Sequence, residues 1–269
     1  MISLEQLQAG IVIPVDKPRQ WTSFQAVNKI KSVIRNLYGL KKFKIGHAGT
    51  LDPLATGLLL VCVGKATKSI PQLQDSDKVY TGTFVLGATT PCYDLERPID
   101  HYYPYKHITQ ELVAEKAQTF TGTIMQVPPM FSAVKIDGQR AYEYARTDDP
   151  SVTIQPKAVT VNSFEITAFR PGTKDPSDLK DPKDSRDPKA PGALTHLYQT
   201  PLGEVPSHLP QADFRIHCGK GTYIRSLARD LGETLGSGAF LSALRREQVG
   251  DYTVDRALSL DQVEAFLRN

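Results

Sequence analysis

The amino-acid sequence predicts an α+β fold: a large, mixed, mainly antiparallel sheet with flanking helices. Strand-like and helix-like segments mix along the chain without regular βαβ alternation. Segments such as KVYTGTFVLG (78–87) alternate in polarity and are rich in Thr and Tyr, as strands are. The helix-like segments each carry one apolar stripe. A chain of 269 residues holds one large domain or two small ones and can bury a real core.

Taken in order, GIVIPVDK (10–17) reads as a short strand. A helix follows, capped by Thr22 or Ser23, with Phe24, Val27, Ile30, Ile34 and Leu37 on one face and Gly39 at its end. LLLVCVG (58–64) is a buried strand or the end of a buried helix, and 78–87 is a strand. Residues 109–121 read as a helix with Leu112, Val113, Ala117 and Phe120 inward. VTVNSFEITAF (159–169) and ADFRIHC (212–218) are further strands. Residues 222–235 form a helix with Ile224, Leu227, Ala228, Leu231 and Leu235 on one stripe. The last helix opens at Ser259 with Gln262 three residues on, a capping box. Residues 171–192 repeat a basic-Asp-Pro triplet, hold one large apolar residue and read as a disordered surface insertion.

Composition narrows the function classes. Thirty-two basic against twenty-nine acidic residues give +3, which permits a nucleic-acid partner without demanding one. The three cysteines are far apart, with no CxxC, so neither a disulfide framework nor a zinc site is expected. The N-terminus lacks the pattern of a signal peptide, and the longest apolar run, Leu58–Val63, is too short to span a bilayer. A soluble, cytoplasmic protein is expected.

The segment GHAGTLDPLATGLLLVCVGKATK (46–68) puts one carboxylate, Asp52, in a turn before an apolar run. A phosphate-binding loop is excluded, because Leu59 and Ala66 stand where its Gly and Ser/Thr belong. His47 and Asp52 alone make no metal site, and the six histidines form no HxH or HxxxH pair. Asp52 before Pro53 can simply be a turn former. Tyr80 opens a strand in DSDKVYTG, and Tyr223 and Arg225 share a face if the chain is extended up to a helix starting just after them. VPPMFSAVKIDGQRAYEYAR (127–146) mixes aromatics with basic residues, as RNA-binding loops do. A packing tyrosine and a solvated arginine are the plainer readings of such residues.

These blocks, with CGKGTYIRSLARDLGETLGSGAFLSALRRE (218–247), resemble in order the TruB family, the bacterial tRNA pseudouridine(55) synthases. The likeness runs from about Ile11 to about Thr253, outside 171–192. It implies the pseudouridine synthase fold with a central cleft, and isomerisation of uridine 55 in the T-loop of tRNA. By this resemblance Asp52 is the catalytic aspartate, Tyr80 stacks on the target base and helps remove the C5 proton, and Arg225 pairs with the aspartate. His47, Lys17, Tyr223 and Leu244 are its substrate-binding residues. Residues 1–255 are then the catalytic domain, with a thumb at 127–150, and 256–269 a short C-terminal helix without a full PUA domain. The partner implied is the T-arm of tRNA. No cofactor, metal, membrane or obligate protein partner is expected, and a monomer is the default.

The chemistry suits one acid. The bond from N1 to C1′ breaks, the base turns, and C5 joins C1′, with no net oxidation. A carboxylate can attack C6 or C1′, or take a ribose proton. Burial beneath a base disfavours an ionised carboxylate, and a paired guanidinium restores it. Flipping the base costs a few kcal/mol, which stacking at roughly 1–3 kcal/mol per base offsets. Lys17, Lys41, Lys42, Lys44, Lys65 and Lys68 are candidates for a basic rim. An RNA binder without catalysis and an Asp-dependent hydrolase are the competing classes. The first conflicts with the presence of Asp52, Tyr80 and Arg225 together; the second lacks a second acid or metal.

Overall fold

A computed structural model describes residues 2–132, 135–136, 139–140, 144, 154–173 and 204–269. Most of the 171–192 segment and much of the 127–150 segment lie outside these residues. Among them, nine strands join in one mainly antiparallel sheet, with helices packed on it, and two short hairpins stand apart. In chain order the elements are α1 (Leu4–Ala9), β1 (Ile11–Lys17), α2 (Ser23–Tyr38), β2 (Ile45–Ala48), β3 (Thr56–Val63), α3 (Ile70–Asp75), β4 (Lys78–Leu86), β5 (Ala88–Thr89), β6 (His101–Tyr102), α4 (Gln110–Gln118), β7 (Gly122–Gln126), β8 (Lys135–Ile136), β9 (Gln139–Arg140), β10 (Lys157–Arg170), β11 (Gln211–Cys218), α5 (Ile224–Thr234), β12 (Ala239–Val249), β13 (Tyr252–Thr253) and α6 (Gln262–Arg268). The strand order is β1-β3-β12-β4-β11-β10-β7, with β2 also on β3 and β13 on β12. The chain forms two compact units, one of 1–81, 217–220 and 244–269, the other of 82–216 and 221–243.

In the first unit β3 is the central strand. It runs antiparallel to β1 and β2 and parallel to β12. Leu59, Val61 and Val63 enter a core with Ile13 and Val15 of β1, Ile30 and Ile34 of α2, and Val263 and Leu267 of α6. Leu58 and Leu60 enter a second cluster with Ala48 and Val249. Both faces of β3 are therefore buried, which is why its sequence is an unbroken apolar run rather than an alternating one.

Thr22 caps α2 through a reciprocal box with Gln25, and Gly39 closes it at φ +65°. The inward face is Ala26, Val27, Ile30 and Ile34. Phe24, expected inward, is 69% exposed, because it stands about a quarter-turn around the helix from the stripe of Ser23, Ala26, Ile30 and Ile34. Ser259 and Gln262 exchange their capping-box bonds, although α6 itself starts only at Gln262.

The second unit is built on Phe84 of β4, Phe164 of β10 and Phe214 of β11. The rings of Phe84 and Phe214 stack at 4.1 Å, and Phe164 meets Phe214 edge-on at 6.4 Å. Val113 and Ala117 anchor α4, and Gln118 Nε2 donates to Phe164 O at 2.9 Å. The stripe expected on α5 is present: Ile224, Leu227, Ala228 and Leu231 are buried, as is Leu235 just beyond the helix. Among the described residues no helix is long and apolar enough to cross a membrane.

Candidate active site

In the first unit the Asp52 turn is tied down at each of its main-chain corners. Gly49, at φ +89°, accepts on its carbonyl from Arg246 Nη2 at 3.1 Å. Ser23, the first residue of α2, exchanges two bonds with Leu51, at 2.9 and 3.1 Å. Pro53 O accepts from Gln20 N at 2.8 Å and from Lys17 Nζ at 3.3 Å. Asp52 itself is half-buried between these anchors, and its carbonyl receives Ala55 N at 3.1 Å. A carboxylate on so constrained a turn has little orientational freedom to lose when it meets a substrate.

Lys17 ends β1 and is fully buried. Its ammonium donates to Trp21 O at 2.6 Å, Pro18 O at 3.0 Å and Pro53 O. Burial pulls its pKa down to about 8, against the opposing pull of Asp52. Lys17 therefore acts on the turn from beneath and offers its charge to Asp52. His47 lies on β2, and burial holds it below the usual imidazole range, so it is neutral at physiological pH. Tyr80 and Leu244 pack, half-buried, against the same core cluster. Burial raises the Tyr80 phenol above its ordinary value, while the positive charge of Arg246 pulls the other way.

Arg246 was not among the residues singled out from sequence. It is 1% exposed and also donates from Nε to Leu58 O at 2.7 Å. The adjacent Arg245 points the opposite way and grips Asp16 through two bonds of 2.8 and 3.1 Å. The signal for Arg246 was the pair Arg245–Arg246 in a strand, where one of two neighbours must face inward.

The lysines expected around the acid separate. Lys42, Lys44, Lys65 and Lys68 line a cavity of about 390 Å³ with Leu7, Leu40, Phe43 and Val63. That cavity lies at the Val63 end of β3, whereas Lys17 pairs with Gly57 at the other end. Seven strand steps separate Gly57 from Gly64, about 23 Å.

Tyr223 and Arg225 belong to the second unit. The helix read over 222–235 begins at Ile224, so Tyr223 is its extended N-cap residue, Arg225 lies in the first turn, and the condition for the two to share an extended face is not met. Gln126 at the end of β7 exchanges two main-chain bonds with Tyr223, at 2.8 and 3.2 Å. Ser226 Oγ ties the next turn to Val127 O at 2.8 Å. Arg225 is 5% exposed. It donates to Phe131 O at 2.9 Å and Cys92 O at 3.2 Å, and within this unit it pairs with Asp94 at 3.9 Å. The Asp94 carboxylate in turn accepts from Glu96 N at 2.9 Å and Cys92 Sγ at 3.0 Å. Burial and this carboxylate push the Cys92 thiol up to about 12, so it stays a donor. Asp94 was also missed: nothing in TTPCYDLERP marks it as the buried partner of a residue 131 positions later.

With this geometry in hand, the comparisons decide the family. Residues 35–177 match the model of the TruB family pseudouridylate synthase N-terminal domain. The chain belongs to the TruB family. Residues 225–269 match the TruB-family C-terminal domain model of tRNA pseudouridylate synthase B. The tRNA pseudouridine synthase B of Flavobacterium johnsoniae is 46% identical over 98% of this chain and 99% of its own. The protein of that name from Phocaeicola vulgatus is 43% identical over 96% and 93%. Among solved structures, a chain of a Cbf5-Nop10-Gar1 complex superposes with a TM-score of 0.61 at 25% identity, over 97% of this chain. This chain spans 55% of that one. The α+β architecture is thus that of TruB-family pseudouridylate synthases.

Proposed function

We propose that this protein isomerises uridine 55 in the T-loop of tRNA to pseudouridine, in the cytoplasm, with Asp52 as the catalytic carboxylate. The observation that carries this reading is the Asp52 turn. It is a single half-exposed acid on a loop fixed at Gly49, Leu51 and Pro53, in a chain of the TruB family. The isomerisation consumes no redox equivalent and releases nothing to solvent, so a carboxylate and a platform for the base suffice. Asp52 acts on the flipped nucleotide at C6, at C1′ or on a ribose proton, and each path requires it ionised. Tyr80 and Leu244 form the apolar wall against which uracil rests. Tyr80, with its ring half-buried, supplies the stacking face. Lys17 fixes the turn and places a cation beside the acid, while His47 contacts the reorganised T-loop. Arg225 and Tyr223 are assigned to the same reaction by the family pattern, with Arg225 as the guanidinium that favours the ionised acid. The T-arm supplies phosphates for the exposed lysines.

Incubation with an unmodified tRNA transcript, followed by carbodiimide treatment and primer extension, tests the reading. A new stop appears at the T-loop uridine, and Asp52→Ala abolishes it without loss of RNA binding. Arg225→Ala cripples tritium release from C5-labelled tRNA far more than filter binding. Tight binding by the unaltered protein with no stop at any uridine would refute the assignment.

A further inference from the structure

One cavity of the second unit has no part in the roles above. It has a volume of about 470 Å³ and lies among the turn after β5, strand β6 and the second half of α5. Pockets of about 300–1,000 Å³ are the size that takes small ligands. Its walls combine aromatic faces with carboxylates. Tyr93, His101 and Tyr103 contribute the rings. His101 and Tyr103 meet edge to face with centroids 4.4 Å apart. Gly238 makes room for Tyr103, since a Cβ there would stand 2.5 Å from its ring. The Arg229 guanidinium lies over the Tyr93 ring, 5.8 Å from its centroid, and is held by Asp230 at 2.7 Å and by Val127 O at 3.1 Å. The acids are Asp100, which accepts from Thr89 Oγ1 at 2.7 Å, and Glu233, exposed on α5.

The cavity adjoins the Arg225 cluster. Tyr93 is held at φ +59°, a left-handed backbone that a bulky residue adopts only at a cost. Its neighbours Cys92 and Asp94 both meet Arg225, while Tyr93 itself lines the cavity. Arg229 stands one helical turn beyond Arg225, about 6 Å along α5.

These groups set what fits. Carboxylates only accept, so a phosphate is turned away and a ligand with N–H donors is favoured. With Arg229 paired to Asp230, the remaining charges of Asp100 and Glu233 leave the lining acidic. Aromatic faces take a nucleobase by stacking. Among the bases of RNA, guanine alone offers adjacent donors, N1–H and the 2-amino group, that fill both oxygens of one carboxylate. Asp100 already accepts from Thr89, which leaves Glu233 for that edge.

We propose that this cavity binds an unpaired guanine of the substrate RNA, stacked on Tyr93 and bonded through its Watson–Crick edge to Glu233. This rests on the functional reading given above, and on the place of Arg225 in it. A base of the same RNA is favoured over a free guanine nucleotide because the cavity adjoins Arg225 and its acidic lining has no place for a phosphate.

Filter binding with Asp52→Ala protein tests it, so that turnover plays no part. Unmodified tRNA transcripts are assembled with inosine in place of each unpaired guanine in turn, which removes the 2-amino group alone. At one position inosine weakens binding about tenfold. In protein that also carries Glu233→Gln the same inosine costs less than about threefold, because the amide keeps only one acceptor oxygen. Tyr93→Gly suits the left-handed backbone and removes the ring, and it weakens binding of guanine and inosine transcripts alike by about tenfold. Should Tyr93→Gly fail to fold, Glu233→Gln, at its exposed position, carries the test alone. The absence of any inosine-sensitive position, or an equal inosine penalty with Glu233→Gln, would overturn the proposal. So would guanosine monophosphate that saturates the protein at micromolar concentration, since the cavity would then serve a free nucleotide. A wild-type protein that leaves tRNA unmodified, yet shows the coupling between inosine and Glu233, would refute the isomerase reading and leave the guanine site standing.

Discussion

Lys17 shows how far a single buried charge sets behaviour. Its pKa, about 8, lies below the ordinary 10.5 because it is buried. The folded state therefore gives up this proton first as pH rises. The cost of burying the charge is fully present below about pH 8 and is relieved between about 8 and 10.5, so this residue's contribution to stability improves through that window. Activity moves the other way. A neutral amine has two N–H groups for three carbonyls, so the Asp52 turn loosens. The kcat profile should fall with a midpoint near pH 8 on its alkaline side, and Lys17→Met should remove that limb while lowering the plateau. Asp52, Tyr80 and Lys17 stand out in the sequence because the family pattern marks them. Arg246 and Asp94 do not: their importance comes from partners at Gly49 and Arg225 that lie far away in the chain.

At the level of elements, local chemistry was read well where it is local. The cap at Thr22, the stop at Gly39 and the stripe of α5 follow from neighbouring residues alone. Removing the box with Thr22→Ala should cost about 1 kcal/mol, seen as a lower urea midpoint at unchanged slope. The choice between strand and helix for LLLVCVG stayed open in sequence, since an apolar run buried on both faces has no period to reveal it. β1 on one edge, and β2 and β12 one after the other along the opposite edge, decide it. The helix read as starting at 222 starts at Ile224, because the side chain of Gln126, distant in the chain, bonds the main chain of Tyr223 and holds it extended as the N-cap residue. Gly57 is the strictest position of β3. Its φ is +99°, and an alanine Cβ there would stand 2.3 Å from Arg246 O. Gly57→Ala should therefore uncouple β3 from β12 and lower Tm by several degrees, a change that thermal unfolding measures directly.

For the molecule as a whole, the modest +3 is less informative than its distribution. Four lysines gather about one cavity at the far end of β3 from the Asp52 turn. RNA held there by phosphates should dissociate as salt rises. Between about 50 and 200 mM salt, filter binding of a tRNA transcript should weaken at least about tenfold, and Lys65→Glu with Lys68→Glu should flatten that slope. The sheet order could not be derived from sequence, because pairing β12 with β3 joins segments nearly two hundred positions apart. Their neighbouring arginines also guard against misassembly. Slipped one step one way, β12 would put Glu247 against the carbonyls that accept from Arg246; slipped the other way, it would set Leu244 opposite Asp16, which loses its guanidinium. The first error sets a carboxylate against carbonyl oxygens, and the second leaves a carboxylate without its partner. The strand thus proofreads its own alignment, and only one register seats both arginines on their partners.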